Sequence, residues 1–186
     1  MKQSAGVQSS GSRRTYHHGD LRKVLLGAAR TEIAAHGAQG LSMASLARRA
    51  GVAQSAPYRH FSDREDLLAA VATDGFERFT EALLKAASGG AEEMALKRIA
   101  VAYLVFGEGN VELYRLMFAS GLVPGAAPDS ALKRAATASF QPLLERVTAS
   151  HLSAHVRWGQ LHGLVMLKAD GFIHDPLEAL LGVLSI

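Results

Sequence analysis

Residues 41–61 read LSMASLARRAGVAQSAPYRHF, two short amphipathic stretches that meet at Gly51. Ser42 is placed to cap the first, because a Ser side chain accepts a hydrogen bond from an unpaired N–H of the first helical turn. Met43, Leu46, Ala47 and Ala50 recur at three- and four-residue steps, which gives that helix one apolar side. Gly51 supplies the positive φ on which helices end cheaply, and Val52 drops into the corner behind it. A second helix is expected from about Gln54 to His60. Pro57 is tolerated there because a first helical turn has N–H groups without partners. The outward side of this helix carries Gln54, Ser55, Tyr58, Arg59 and His60, with Phe61 as the inward anchor. Such a face suits a helix lying in a DNA major groove. The same spacing also fits an αα-hairpin with a solvated polar face.

The flanks extend the pattern. Leu21, Leu25, Ala29 and Ile33 form an i, i+4 stripe widened by Val24 and Ala28, predicting a helix from near Asp20 that ends at Gly37 and Gly40. Packed under the two short helices, it completes a three-helix head. Ser62-Asp63-Arg64-Glu65 reads as a capping box between Ser62 and Glu65. The helix it opens is expected to run to about Ala87, since Leu68, Ala72, Phe76, Phe79 and Leu83 keep one continuous face. Arg64 at its start either meets the DNA backbone or is a surface charge.

The chain has 186 residues, 48% of them hydrophobic, and no Cys. A substantial core is available, global disorder is excluded, and no disulfide, thiolate metal site or Cys nucleophile is possible. No run approaches the roughly 18 consecutive apolar residues of a membrane span, and the N-terminus lacks a secretory apolar region. A soluble cytoplasmic protein is expected. Residues 1–66 hold ten Lys or Arg against five Asp or Glu, a balance of +5, whereas residues 67–186 hold ten against twelve. A basic head on a slightly acidic body suits a polyanion-binding protein. Residues 1–15 read as a flexible arm rich in Ser, Gly and Gln. Its Arg13 and Arg14, with His17 just beyond, can follow phosphates or enter a minor groove.

From Tyr16 to Leu68 the chain resembles the DNA-binding domain of the TetR/AcrR family of bacterial transcription regulators. The resemblance lies in YHHGDLR at 16–22, LSM at 41–43, LARRAGV at 46–52, APYRHF at 56–61 and DREDLL at 63–68. It departs at Ala53, where the family commonly has Ser, and at Pro57, where it commonly has another apolar residue. The resemblance implies an all-α fold: a helix-turn-helix head over residues 16–66, a long connecting helix, and an effector-binding and dimerisation body over 67–186. It also implies a homodimer through the last two helices, double-stranded DNA as partner, and a small-molecule effector. Arg13, Arg14, His17, Ser42, Tyr58, His60 and Arg64 would then serve mainly to position the protein, while Gln54, Ser55 and Arg59 read base edges.

The body reads as helical throughout. Ser88-Gly89-Gly90 marks a boundary, and the apolar run Ile99–Phe106 marks a helix buried on most sides. Asn110 is placed to cap a short helix through Phe118. Asp129 or Ser130 opens another that reaches about Ser150, with a kink at Pro142. Ser153 caps the next, to about Ala169, and Asp175-Pro176-Leu177-Glu178 opens the last. The segment WGQLHG at 158–163 resembles the signature of a ligand-binding domain in one TetR subgroup, named for its Trp, His and Gly. Gly159 and Gly163 bare one helical strip, either for a dimer partner or to relieve crowding within the subunit. His151, His155 and His162 share a face, but no carboxylate is spaced to complete a metal site. His155 is expected at the surface and His162 as a hydrogen-bonded core or pocket residue.

Tyr103, Phe106, Leu116, Met117, Phe140, Trp158, His162 and Met166 are the candidates for lining an apolar cavity, although such a set at helical spacing also describes plain core. No cofactor and no metal are expected. An effector-independent DNA-organising protein of the same fold is the alternative. An enzyme is disfavoured, because the chain has no nucleophile elbow, phosphate-binding glycine loop or paired carboxylates.

Overall fold

A computed structural model describes residues 18–147 and 151–183, and among these described residues there are ten α-helices, three 3₁₀ turns and no strand. The head contains α1 (His18–His36), α2 (Met43–Ala50) and a 3₁₀ turn at Pro57–Arg59. On α1 the stripe Leu25, Ala29 and Ile33 is fully buried, while Val24 is exposed and Ala28 only half-buried. Ser42 caps α2 as its sequence requires. Its Oγ accepts from the Ser45 N–H, and its own N–H donates to the Ser45 Oγ, both at 3.0 Å. At the other end Gly51 is left-handed, with φ 67°, and Val52 N–H donates to the Ala47 carbonyl at 3.0 Å. That bond and its neighbour from Gly51 to Arg48 form a Schellman closure.

The expected second helix is shorter than its pattern. From Gln54 the chain turns, and only Pro57–Arg59 is helical, through three-residue bonds such as His60 N–H to the Pro57 carbonyl. Pro57 is the reason. It cannot donate to the Ala53 carbonyl, so an α-helix running through 54–60 would lack its first bond. Pro57 and Phe61 are buried behind the turn, with the Arg22 guanidinium over the Phe61 ring at 5.3 Å.

Helix α3 (Arg64–Ser88) is the 25-residue connector. Its cap lies one residue later than the sequence pattern places it. Asp63 accepts from the Asp66 N–H at 2.8 Å, and the Asp66 carboxylate accepts from the Ser62 N–H at 2.9 Å. A carboxylate outperforms a hydroxyl at the positive end of a helix. Arg64 turns back over the head, its Nε donating to the Leu41 carbonyl at 2.8 Å and a terminal nitrogen to the Ala38 carbonyl at 2.6 Å.

The body follows as α4 (Ala95–Gly109), α5 (Val111–Phe118), α6 (Leu122–Gly125), α7 (Ala131–Ala138), α8 (Gln141–Leu144), α9 (His151–Ala169) and α10 (Leu177–Val183). Three boundaries differ from expectation. Asn110 closes α4 by donating to the Phe106 carbonyl at 2.9 Å and does not cap α5 through its side chain. The helix opened by Ser130 breaks after Ala138, because Pro142 has no N–H to give the Ala138 carbonyl, and α8 restarts with the proline in its first turn. Ser153 lies inside α9 and does not cap it.

One buried cluster runs from Leu25 through Phe76, Phe79 and Tyr103 to Leu161 and Leu181, so head and body share a core. Two glycines let helices meet closely. A Cβ on Gly75 of α3 would lie 2.8 Å from the Met117 sulfur, and one on Gly107 of α4 would lie 2.5 Å from a Val165 methyl. Met117 can swing aside, but β-branched Val165 has one preferred rotamer in a helix. Gly107→Ala should therefore cost about 1–3 kcal/mol, the usual scale of overpacking, in chemical denaturation. Gly75→Ala should cost less in the same measurement. Arg64→Ala should also lower stability, by about 1.5–3 kcal/mol for each charged hydrogen bond lost.

Candidate nucleic-acid interface

The Val52–Phe61 segment is fixed from behind and bare in front. Val52 packs on the core, Pro57 is buried and Phe61 is 1% exposed. Gln54, Ser55, Tyr58 and Arg59 are exposed, Tyr58 at 58%, and His60 is half-buried. The structure thus exposes four of the five outward residues named from the sequence on one short segment; the fifth, His60, expected outward beside them, is half-buried with its Nε2 enclosed. It places Ser42 at the helix cap, with its hydroxyl committed to Ser45. It places Arg64 half-buried, with two of its five N–H groups spent on carbonyls of the head. Arg13, Arg14 and His17 lie outside the described residues. Arg48 on α2, and Arg22 and Lys23 on α1, are exposed cations of the same head that the motif reading passed over; their signal was the local basic count.

The body holds a cavity of about 420 Å³ between α3, α5, α7 and α9, lined by Phe76, Met117, Phe118, Lys133, Phe140 and Trp158 among others. Its ring walls meet at Phe76–Phe118 (5.1 Å between centroids), Phe118–Trp158 (6.3 Å) and Phe140–Trp158 (5.8 Å). Of the eight residues expected to line a cavity, Met117, Phe140 and Trp158 do so. Tyr103 and Leu116 are core, at 1% and 2% exposure, and Phe106, His162 and Met166 do not line it. Phe76, Phe118 and Lys133 also line it and were not among the candidates; Phe76 read as part of the core face of α3 and Phe118 as the end of a short helix.

Tyr103 and His162 instead belong to a polar run through the core. The Tyr103 and Tyr114 hydroxyls are 2.8 Å apart, and the Tyr114 hydroxyl is 2.7 Å from His162 Nδ1. Burial pushes both phenols far up, so they keep their protons, and desolvation lowers His162. A run in which Tyr103 donates to Tyr114, and Tyr114 to the Nδ1 of a neutral His162, gives both hydroxyls and that ring nitrogen a partner. His155 is exposed and stacks on Phe140 at 4.7 Å. The side chain of His151 lies outside the described residues.

A capped helix, a left-handed glycine and a polar turn held on an apolar base, joined by one helix to a cavity-bearing bundle, define a helix-turn-helix protein with a helical sensor-type body. Residues 25–71 match the profile of bacterial regulatory proteins of the tetR family, and residues 96–181 match that of a tetracyclin repressor-like C-terminal domain. The chain belongs to the TetR family, whose members are non-enzymatic DNA-binding regulators of transcription.

Among solved structures, it is 34% identical to a protein with unknown function from Rhodococcus sp. RHA1, with a TM-score of 0.79 over 91% of this chain and 94% of that one. A TetR family transcription regulator from Marinobacter aquaeolei VT8 shares the fold at 21% identity, with a TM-score of 0.66 over 88% and 93% of the two chains. The fatty acid degradation regulator FadR from Bacillus halodurans does so at 18% identity and 0.68, over 94% and 93%. Among curated proteins nothing matches significantly. No helix among the described residues is long and apolar enough to cross a membrane.

Gln54→Ala should erode discrimination between target and random DNA by about 1–3 kcal/mol, the worth of one bidentate base contact. Tyr58→Ala should weaken both alike. Titrations of the two DNAs at one fixed salt concentration check this, and an unchanged preference in Gln54→Ala removes that residue from the reading set.

Proposed function

We propose that the protein is a homodimeric repressor that binds a pseudo-palindromic operator and is released by a small molecule held in the α3–α5–α7–α9 cavity. The exposed turn at 54–59, anchored by buried Pro57 and Phe61, carries this reading. Two such turns, one from each subunit, enter successive major grooves about one helical turn or a multiple of it apart. Tyr58, His60, Arg64 and the arm residues Arg13, Arg14 and His17 act on the backbone, while Gln54, Ser55 and Arg59 act on base edges.

The dimer reading is supported by the outer face of α9. Leu152 (74% exposed), Val156 and Leu167 lie uncovered along it, and around Gly159 and Gly163 the space a Cβ would take is open. The glycines therefore relieve no crowding within the subunit, and the bare strip fits a second copy of the same helix. Helix α5 offers a route for the release signal. Its Met117 lines the cavity and touches Gly75 of the connector, while Glu112 lies against Gly37 at the end of α1. An effector that favours a different seat for α5 re-aims the heads, and linkage requires operator DNA to weaken effector binding by the same factor.

Selection of bound fragments from random DNA tests the operator; paired half-sites spaced by about 10 base pairs or a multiple are expected, and a single unpaired site contradicts the dimeric reader. Gly163→Leu should convert the dimer to monomer in sedimentation while leaving helical circular dichroism unchanged. If it stays dimeric, the interface lies elsewhere.

A further inference from the structure

Lys133 differs from four other half-buried cations of the body. Arg98 is spent on three carbonyls, Arg115 on Glu112 and Asp170, Arg146 on Glu92, and Lys168 on Glu108 and a carbonyl. The Lys133 ammonium donates to the Val123 carbonyl at 3.1 Å and pairs with no carboxylate among the described residues. Both Lys133 and Val123 line the aromatic cavity, so this bond spans its wall between α7 and α6. An ammonium has three donors, which leaves two for a guest.

The rest of the lining contains no Asp or Glu. Its hydroxyls are those of Thr137, one turn along α7 from Lys133, and of Ser139, whose Oγ is committed to the Ala136 carbonyl at 2.7 Å. A positive charge in a wall shared with Phe76, Phe118, Phe140 and Trp158 is half desolvated and has no counter-charge among the described residues. An anion arriving there gains a charge-assisted bond that is stronger than in water, and a cation is repelled. The volume of about 420 Å³ lies toward the small end of ligand sites, which run from roughly 300 to 1,000 Å³.

We propose that the cavity takes a small, mainly apolar organic anion, an aryl or short-chain carboxylate, with its apolar part among the rings and its carboxylate on Lys133. The inference rests on the effector reading above and specifies its ligand class.

The chain's single Trp, Trp158, lies in the cavity wall, so its fluorescence reports occupancy directly. The probes are 3-phenylpropanoate, its neutral amide 3-phenylpropanamide, and 3-phenylpropylamine, titrated into the full chain with calorimetry alongside. The carboxylate should bind roughly tenfold or more tighter than the amide, the scale of one charge-assisted hydrogen bond, and the amine should be weakest. Lys133→Met should bring the carboxylate down to the amide's affinity and leave the amide unchanged, while Lys133→Arg should keep the preference.

Equal binding of carboxylate and amide, a preference that survives in Lys133→Met, or binding of none of the three overturns the proposal. Adding each probe to a protein–operator complex separates the two readings. A carboxylate that binds through Lys133 but releases no DNA leaves the anion site standing and removes the effector role. An amide that binds as well as the carboxylate and releases DNA does the reverse.

Discussion

Helix α3 gives one apolar face to two neighbours at once, and the rest of the molecule is built on that sharing. Over 25 residues, about 37 Å at 1.5 Å per residue, Leu67, Leu68, Val71, Ala72, Phe76, Phe79 and Leu83 stay buried without interruption. Burying each large side chain is worth roughly 1.5–3 kcal/mol, so shearing the head from the body uncovers several of them together. The helix is also tied at its first residue, where Arg64 holds the carbonyls of Ala38 and Leu41, and across its middle, where Arg30 of α1 pairs with Asp74 at 2.8 Å. A displacement of α3 must therefore carry α1 and the start of α2 with it.

Helix α5 is where the two halves are joined most closely after α3. Glu112 at its start occupies the space above Gly37, 2.9 Å from where a Cβ would sit, and also pairs with Arg115, which reaches Asp170 beyond the end of α9. Tyr114 enters the buried polar run, Met117 fills the notch left by Gly75, and Phe118 stands in the cavity wall. Contacts of several different kinds thus converge on eight residues. Close packing of this kind moves between discrete arrangements rather than bending continuously, which is what the proposed release mechanism asks of this helix.

How much of this was legible depended on whether the deciding contact was local. Ser42, Gly51 and the α1 stripe act within one or two helical turns, and their sequence reading holds in the structure. The break at Pro142 was placed correctly but underestimated, as a kink instead of an interruption. The cap of α3 slipped by one residue because Ser62 and Asp63 are both competent caps, and only Asp63 also meets the preference for negative charge. What local pattern cannot show is which aromatic faces a cavity and which faces the core. Tyr103 and Phe140 read alike, yet Tyr103 finds Tyr114 eleven residues on and is sealed in, while Phe140 is left at the open edge beside Trp158. Nor could local pattern show the partners of Lys133 and Arg64, whose acceptors are carbonyls ten and more than twenty residues away.

The shortened second element of the head bears on how DNA can be read. An α-helix holds its side chains in place through its own ladder of bonds, whereas a single 3₁₀ turn has few and poorer ones. The turn at Pro57–Arg59 compensates through packing. Pro57 has its φ set by its ring, which lowers the entropy lost on ordering the segment. Its burial together with Phe61, under the Arg22 guanidinium, then fixes the turn as a body. On the proposed reading, base discrimination demands that Gln54, Ser55 and Arg59 arrive at fixed angles, because a hydrogen bond weakens steeply when misdirected. The rigidity this chain needs for recognition therefore resides in the apolar residues behind the turn, and the proline that costs the helix its first bond is also what holds the reading surface still.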